Sequence, residues 1–102
     1  LEEEVRADSR PINFLATGKE EILQNVYTIL TTPRGSVPLD REFGIDTSIL
    51  DDPTPVAKAR ATAEIFEKVN KYEPRVSITK VSFTEKEDGV LIPVVKLAVK
   101  EG

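Results

Sequence analysis

Glu73, Pro74 and Arg75 stand where a helical pattern stops and a strand pattern starts. A carboxylate and a five-donor guanidinium on either side of a rigid proline put an acceptor and a donor fork at fixed spacing. That combination suits a specific contact with another protein. It suits an internal ion pair that clamps the chain equally well, and the residues alone leave both readings open. Pro74 itself is explained by helix termination, because proline pushes the preceding residue out of the α region.

Other chemistries are less well supported. Glycoside hydrolysis needs two carboxyl groups roughly 5 to 10 Å apart. Glu73 is one candidate, and Asp40, Glu42, Asp46, Asp51 and Asp52 supply second ones. Acids are common in this chain, so solvated and capping carboxylates are the plainer account. Asp51-Asp52 could face a hard cation, but no calcium-loop spacing surrounds it, and acids at a helix start explain it better. Pro33-Arg34-Gly35-Ser36 has a glycine and a hydroxyl, yet lacks the spacing and lysine of a phosphate-cradling loop. It reads as a turn. No metal or other cofactor is expected.

Composition narrows the field further. The chain of 102 residues has the length of one domain with a modest core. A net charge of −4 gives no basic surplus for phosphate neutralisation, which argues against general nucleic-acid binding. There is no cysteine and no histidine, so thiolate chemistry and the commonest general base and zinc ligand are excluded. No apolar run approaches membrane-spanning length, and no signal peptide is visible. The chain opens at Leu1 and contains no methionine, so its natural start is expected to lie upstream.

These residues need a scaffold, and the patterning predicts one. Residues 1–10 lack a pattern and are expected to fray, leaving 11–102 as the domain. Ile12 to Leu15 reads as a short extended segment. Thr17 and Glu20 form a capping-box signature. An amphipathic helix follows to about Thr31, with Ile22, Leu23, Val26, Tyr27, Ile29 and Leu30 on one side. Residues 31–55 are punctuated by prolines and glycines but carry the apolar residues Val37, Leu39, Phe43, Ile45, Ile49 and Leu50. That mixture predicts an ordered loop pinned to the core, with a short strand, for which Val37 to Leu39 is a candidate, or a helical turn inside it.

A second helix is predicted from Thr54 or Pro55 to about Tyr72, with Glu64–Lys68 and Glu67–Lys71 as i, i+4 pairs. Its apolar face covers over half the wheel, more than one core contact needs. Val76 and Ile78 then alternate, and Val81 and Phe83 alternate one residue out of phase, so a bulge is expected near Thr79 and Lys80. Glu85 to Gly89 reads as a hairpin turn and Val90 to Val99 as the return strand. Pro93 marks that strand as an edge or a break. The order gives an α+β fold: two main helices on a small, mainly antiparallel sheet with a C-terminal β-hairpin.

The run ILTTPRGSVPLDREFGIDTSILDDP, a helix, and then YEPRVSITKVSF together resemble one family. This is the family of small baseplate wedge proteins of contractile phage tails, which includes the equivalent subunit of type VI secretion systems and was sometimes labelled lysozyme. The resemblance rests on Leu30-Thr31, Gly35, Phe43-Gly44 and Glu73-Pro74-Arg75, and spans roughly residues 12 to 100. Arg34 precedes Gly35, whereas many relatives carry an arginine soon after that glycine, so no role is carried over to it beyond the turn.

The resemblance implies a structural protein of a virion baseplate or the bacterial cytoplasm. It further implies that Glu73-Pro74-Arg75 contacts the helical core bundle of other wedge subunits, and that the domain templates the first sheath ring. Arg34, Gly35, Phe43 and Gly44 are then structural turn residues. Glu73 and Arg75 are expected at least partly exposed, and the isolated domain monomeric or weakly associating. Neither nucleic acid nor membrane is an expected partner. The alternatives are a peptidoglycan-cleaving glycosidase using Glu73 and a regulatory adaptor sharing the fold.

Overall fold

The computed structural model describes residues 2–8, 18–52 and 54–100. Strand β1 spans Glu2–Arg6, helix α1 Gly18–Thr31, a 3-10 helix Thr47–Asp51, helix α2 Pro55–Tyr72, strand β2 Val76–Glu85 and strand β3 Leu91–Val99. The strands form one antiparallel sheet in the order β1-β3-β2. The helices supply one side of the core, so the architecture is the α+β arrangement that the patterning predicts.

Alternation dictates which residues enter that core. Val76 from β2, Leu91, Val95 and Leu97 from β3, and Val5 from β1 are buried on the helix-facing side. Ile22, Val26, Ile29 and Leu30 of α1 meet them, with Ala57, Ala61, Ile65 and Val69 of α2. Helix α2 starts where the sequence places it. Thr54 is the N-cap, its hydroxyl accepting from the Ala57 amide at 3.2 Å, and Pro55 takes the first turn. The broad apolar face divides: one side is buried, while Val56, Ala59, Ala63 and Phe66 are exposed.

The hairpin follows the expected register. Ile78 pairs with Leu97 and Lys80 with Lys96, so Thr79 is the extra residue of the bulge. The Thr79 hydroxyl donates to the Lys96 carbonyl at 3.1 Å. At the turn, the Lys86 amide donates to the Val90 carbonyl at 2.9 Å, and Gly89 takes a positive φ of 85°.

Four expectations change. Residues 2–6 do not fray: Glu2 to Arg6 pair with Ala98 to Val94, anchored by the fully buried Val5. Acidic side chains suit an edge strand, where they discourage unwanted pairing. Strand β3 is therefore central, and Pro93 sits in it without breaking it. The Pro93 carbonyl accepts from the Ala7 amide at 3.0 Å, so its missing donor also faces β1, one residue past the end of that strand. Val37 to Leu39 form a turn, not a strand. The Glu64–Lys68 helix pair gives way to contacts with the loop, described below. The Ile12–Leu15 segment and the Thr17 cap lie outside the described residues.

Candidate functional site

Glu73 closes α2 as its C-cap, its amide donating to the Val69 carbonyl at 2.8 Å. Contrary to expectation its side chain is buried, with 2% exposure, whereas Arg75 keeps 50%. The cause is a bidentate pair across Pro74. Arg75 Nε donates to Glu73 Oε1 at 2.6 Å and Arg75 Nη2 to Oε2 at 2.8 Å. Asn25 Nδ2, on α1, donates to the same Oε2 at 2.9 Å. Both carboxylate oxygens are thus satisfied, as burial of a charge requires. The rest of the Arg75 side chain is half-exposed, beside the exposed Pro74.

This geometry disfavours the glycosidase reading. The Arg75 fork holds the Glu73 carboxyl below the usual carboxylate range, with the Asn25 bond adding to it against the opposing effect of burial. A general acid needs the reverse shift. The loop acids are engaged too. Asp40 Oδ1 accepts from the Tyr72 hydroxyl at 2.9 Å and the Glu42 amide at 3.2 Å. Asp46 Oδ1 accepts from the Ser48 amide and hydroxyl, capping the 3-10 helix and lowering the Asp46 pKa. Asp52 Oδ1 accepts from the Thr54 amide at 3.0 Å. Among the described residues no cluster of three or more acids is placed to hold a metal ion.

The loop from Thr32 to Asp46 doubles back on itself. The Arg34 amide donates to the Ile45 carbonyl at 2.8 Å, and the Ile45 amide to the Thr32 carbonyl at 3.0 Å. Gly44 permits this closure. Its φ is +97°, and a Cβ there would lie 2.2 Å from the Thr32 carbonyl oxygen. Gly35, at φ +90°, sits in the turn closed by the Ser36 amide on the Pro33 carbonyl.

Helix α2 then fastens the loop through side chains on successive turns. Glu64 receives Arg34 Nη1 at 3.1 Å and the Asp46 amide. Lys68, buried, donates to the Glu42 carbonyl at 2.6 Å and its carboxylate at 3.1 Å. Phe43 meets Tyr72 edge-on, ring centroids 4.9 Å apart. Arg34, Phe43 and Gly44 thus converge on the loop closure, while Gly35 shapes its first turn. Sequence reasoning missed Asn25, Lys68 and Tyr72 as supports. Asn25 looks like any residue on the polar side of α1, and only the tertiary fold joins it to Glu73.

The comparisons with known proteins agree on the architecture. The family model described as baseplate wedge protein gp25 matches residues 16–100. The chain belongs to this family. Baseplate protein W of Escherichia phage P2 is 32% identical over 83 residues, covering 79% of this chain and 72% of that protein. Baseplate wedge protein gp25 of Enterobacteria phage T4 is 31% identical over 78 residues, covering 74% of this chain and 59% of that one. A crystal structure of a candidate tail lysozyme from Geobacter sulfurreducens superposes with a TM-score of 0.58 at 18% identity. It covers 89% of this chain and 98% of its own, a likeness of fold alone. Among the described residues no helix is long and apolar enough to cross a membrane.

Proposed function

We propose that this domain is a non-catalytic building block of the baseplate of a contractile tail or injection particle. It docks onto the helical core bundle of the other wedge subunits through Pro74 and the outward half of Arg75. The observation that carries this reading is the buried Glu73, bonded to one edge of a guanidinium that is otherwise half-exposed. A charged fork oriented in advance by a buried carboxylate loses little freedom when a partner engages it. Before assembly the protein resides in the bacterial cytoplasm, afterwards in the virion or particle baseplate. Templating of the sheath runs through the sheet, where a terminal segment of sheath protein adds to an outer edge of β1 or β2. The free domain is monomeric or weakly associating.

Co-purification with the wedge core subunits of the same particle tests the docking. Arg75→Lys keeps a cation beside Glu73 but loses the planar fork. It is expected to weaken binding at least about tenfold with little change in melting temperature. Core binding that is indifferent to both Arg75→Lys and Arg75→Ala would overturn the assignment of the site. Peptidoglycan clearing with sustained turnover, abolished in Glu73→Gln, would overturn the non-catalytic reading.

A further inference from the structure

Helix α2 carries apolar residues on two opposite sides, and the core uses only one. Ala57, Ala61, Ile65 and Val69 are buried. On the far side Val56 and Phe66 keep 71% and 38% exposure, and Ala59 and Ala63 between them are exposed too. The outward side of a surface helix is ordinarily polar or charged. One apolar residue there would mean little, but four along one line need a reason.

Their spacing supplies it. Positions 56, 59, 63 and 66 advance by three, four and three, and the next step of four reaches the exposed Asn70. This is the a and d pattern of a coiled-coil seam, with an asparagine at an a position. Such a seam is narrower than the stripe that faces a globular core. The alanines in its middle let a second helix approach closely, while Val56 and Phe66 supply a larger knob at each end.

Charge stands beside the seam where a coiled coil uses it. Arg60 and Glu67 occupy successive e positions and are exposed. Arg60 lies on the side of the loop. After the Ser48 hydrogen bonds, Arg34 and Arg60 are what lower the Asp46 pKa. The other flank is neutral: the Thr62 hydroxyl turns back to the Lys58 carbonyl at 2.8 Å.

That asymmetry decides between occupants. An antiparallel second copy would match Val56 with Phe66 and Ala59 with Ala63, but it would bring the two copies of Arg60 within one turn of each other. A parallel copy would set Glu67 against the uncharged Thr62. Neither copy answers the charges. A membrane is the poorer occupant too, because two of the four seam residues are alanine and Glu67 stands beside them.

We propose that the outer side of α2 receives one α-helix of a protein partner, packed along Val56, Ala59, Ala63 and Phe66, with a carboxylate facing Arg60 and a cation facing Glu67. That this helix belongs to the wedge core bundle rests on the docking reading above. The seam itself rests on the spacing and exposure of α2.

Titration of the full chain against the purified wedge core complex tests both. Ala63→Gln puts a long side chain into the middle of the seam and is expected to weaken binding about 10- to 100-fold, the range for overpacking one tight contact. Ala63→Ser keeps the residue small and should bind like the wild type. Neither variant should move the melting temperature much, because the position faces away from the core and glutamine is a good helix former. Wild-type affinity for Ala63→Gln, with a loss for Arg75→Lys, overturns the seam and leaves the docking corner standing. A loss for Ala63→Gln alone keeps the seam and removes the corner. If neither variant changes binding, or the wild-type chain does not bind the complex, both fall. Sedimentation of the free chain supplies the last arm: a dimer that Ala63→Gln dissociates would give the seam to a second copy and overturn the proposed partner.

Discussion

Two ion pairs on and just after α2 are arranged in opposite senses. In the pair that fastens the loop, the Lys68 ammonium is buried, with 3% side-chain exposure, and its partner Glu42 is 67% exposed. In the pair at the helix end, the Glu73 carboxylate is buried and Arg75 is half-exposed. Which member is buried decides what the region can offer. A buried lysine that also holds a backbone carbonyl fixes chain geometry and presents outward only one more surface acid. A buried glutamate fixes the orientation of a guanidinium that stays half-exposed. The first arrangement is a clamp, and the second is a presented group. Two carboxylate–cation pairs therefore differ in what they expose: one leaves a carboxylate at the surface, the other a half-exposed guanidinium.

Breaking the clamp at its tightest point should have the largest effect. Gly44→Ala forces a side chain into the positive-φ region and drives Cβ against the Thr32 carbonyl, which cannot move without opening the loop. Left-handed strain and overpacking together predict a loss of about 2–5 kcal/mol. Urea unfolding measures it. A Gly44→Ala protein of wild-type stability would show that the loop closure does not fasten the fold.

A smaller loss is expected when only the buried cation goes. Lys68→Met keeps the length of the aliphatic stem but leaves the Glu42 carbonyl without its charged donor, at about 1–3 kcal/mol. Amides near residues 40–46 should exchange faster. The Glu73–Arg75 pair shares no partner with Lys68, so Lys68→Met and Glu73→Gln should add to within about 0.5 kcal/mol in the double variant. A coupling well above that would show that clamp and corner act as one unit.

The clamp and the corner were legible to different degrees for physical reasons. Helix α2, its threonine cap, the bulge at Thr79 and the hairpin are written in local patterns: a proline at the first turn, a phase slip in alternation, an Asp-Gly turn. Strand β1 was not, because its evidence is one apolar residue, Val5, and a partner strand some ninety positions away. Glu64 and Lys68 match a helix-surface pair in spacing, yet each reaches a loop that brings its own charges within 3.1 Å. Local pairs of that kind contribute only about 0.2–0.5 kcal/mol, so tertiary partners readily displace them. The Glu73-Pro74-Arg75 corner was visible as a motif, but not its inside and outside. That depends on Asn25, supplied by α1.

The smallest effect sharpens the contrast through acid titration. Both carboxylates, Glu73 and Glu42, are held below their ordinary range, chiefly by hydrogen bonds from Arg75 and Lys68 respectively. A carboxylate whose folded pKa is depressed contributes stability above its unfolded value, about 4.3, where it is charged in both states. As pH falls below that value the unfolded chain takes up the proton first. Stability then declines until the folded pKa is passed.

Glu73→Gln should therefore flatten the acid limb of the stability curve from about pH 5 downward, in addition to its loss at neutral pH. Glu42→Gln should flatten it less, because two-thirds of that side chain lies in water, which screens the pairing with Lys68. Urea midpoints taken at constant ionic strength from pH 6 to pH 2.5 would rank the two slopes. A larger change for Glu42→Gln than for Glu73→Gln would contradict the burial order of the two pairs, and with it the case that Arg75 is held outward by a carboxylate kept ionised beneath it.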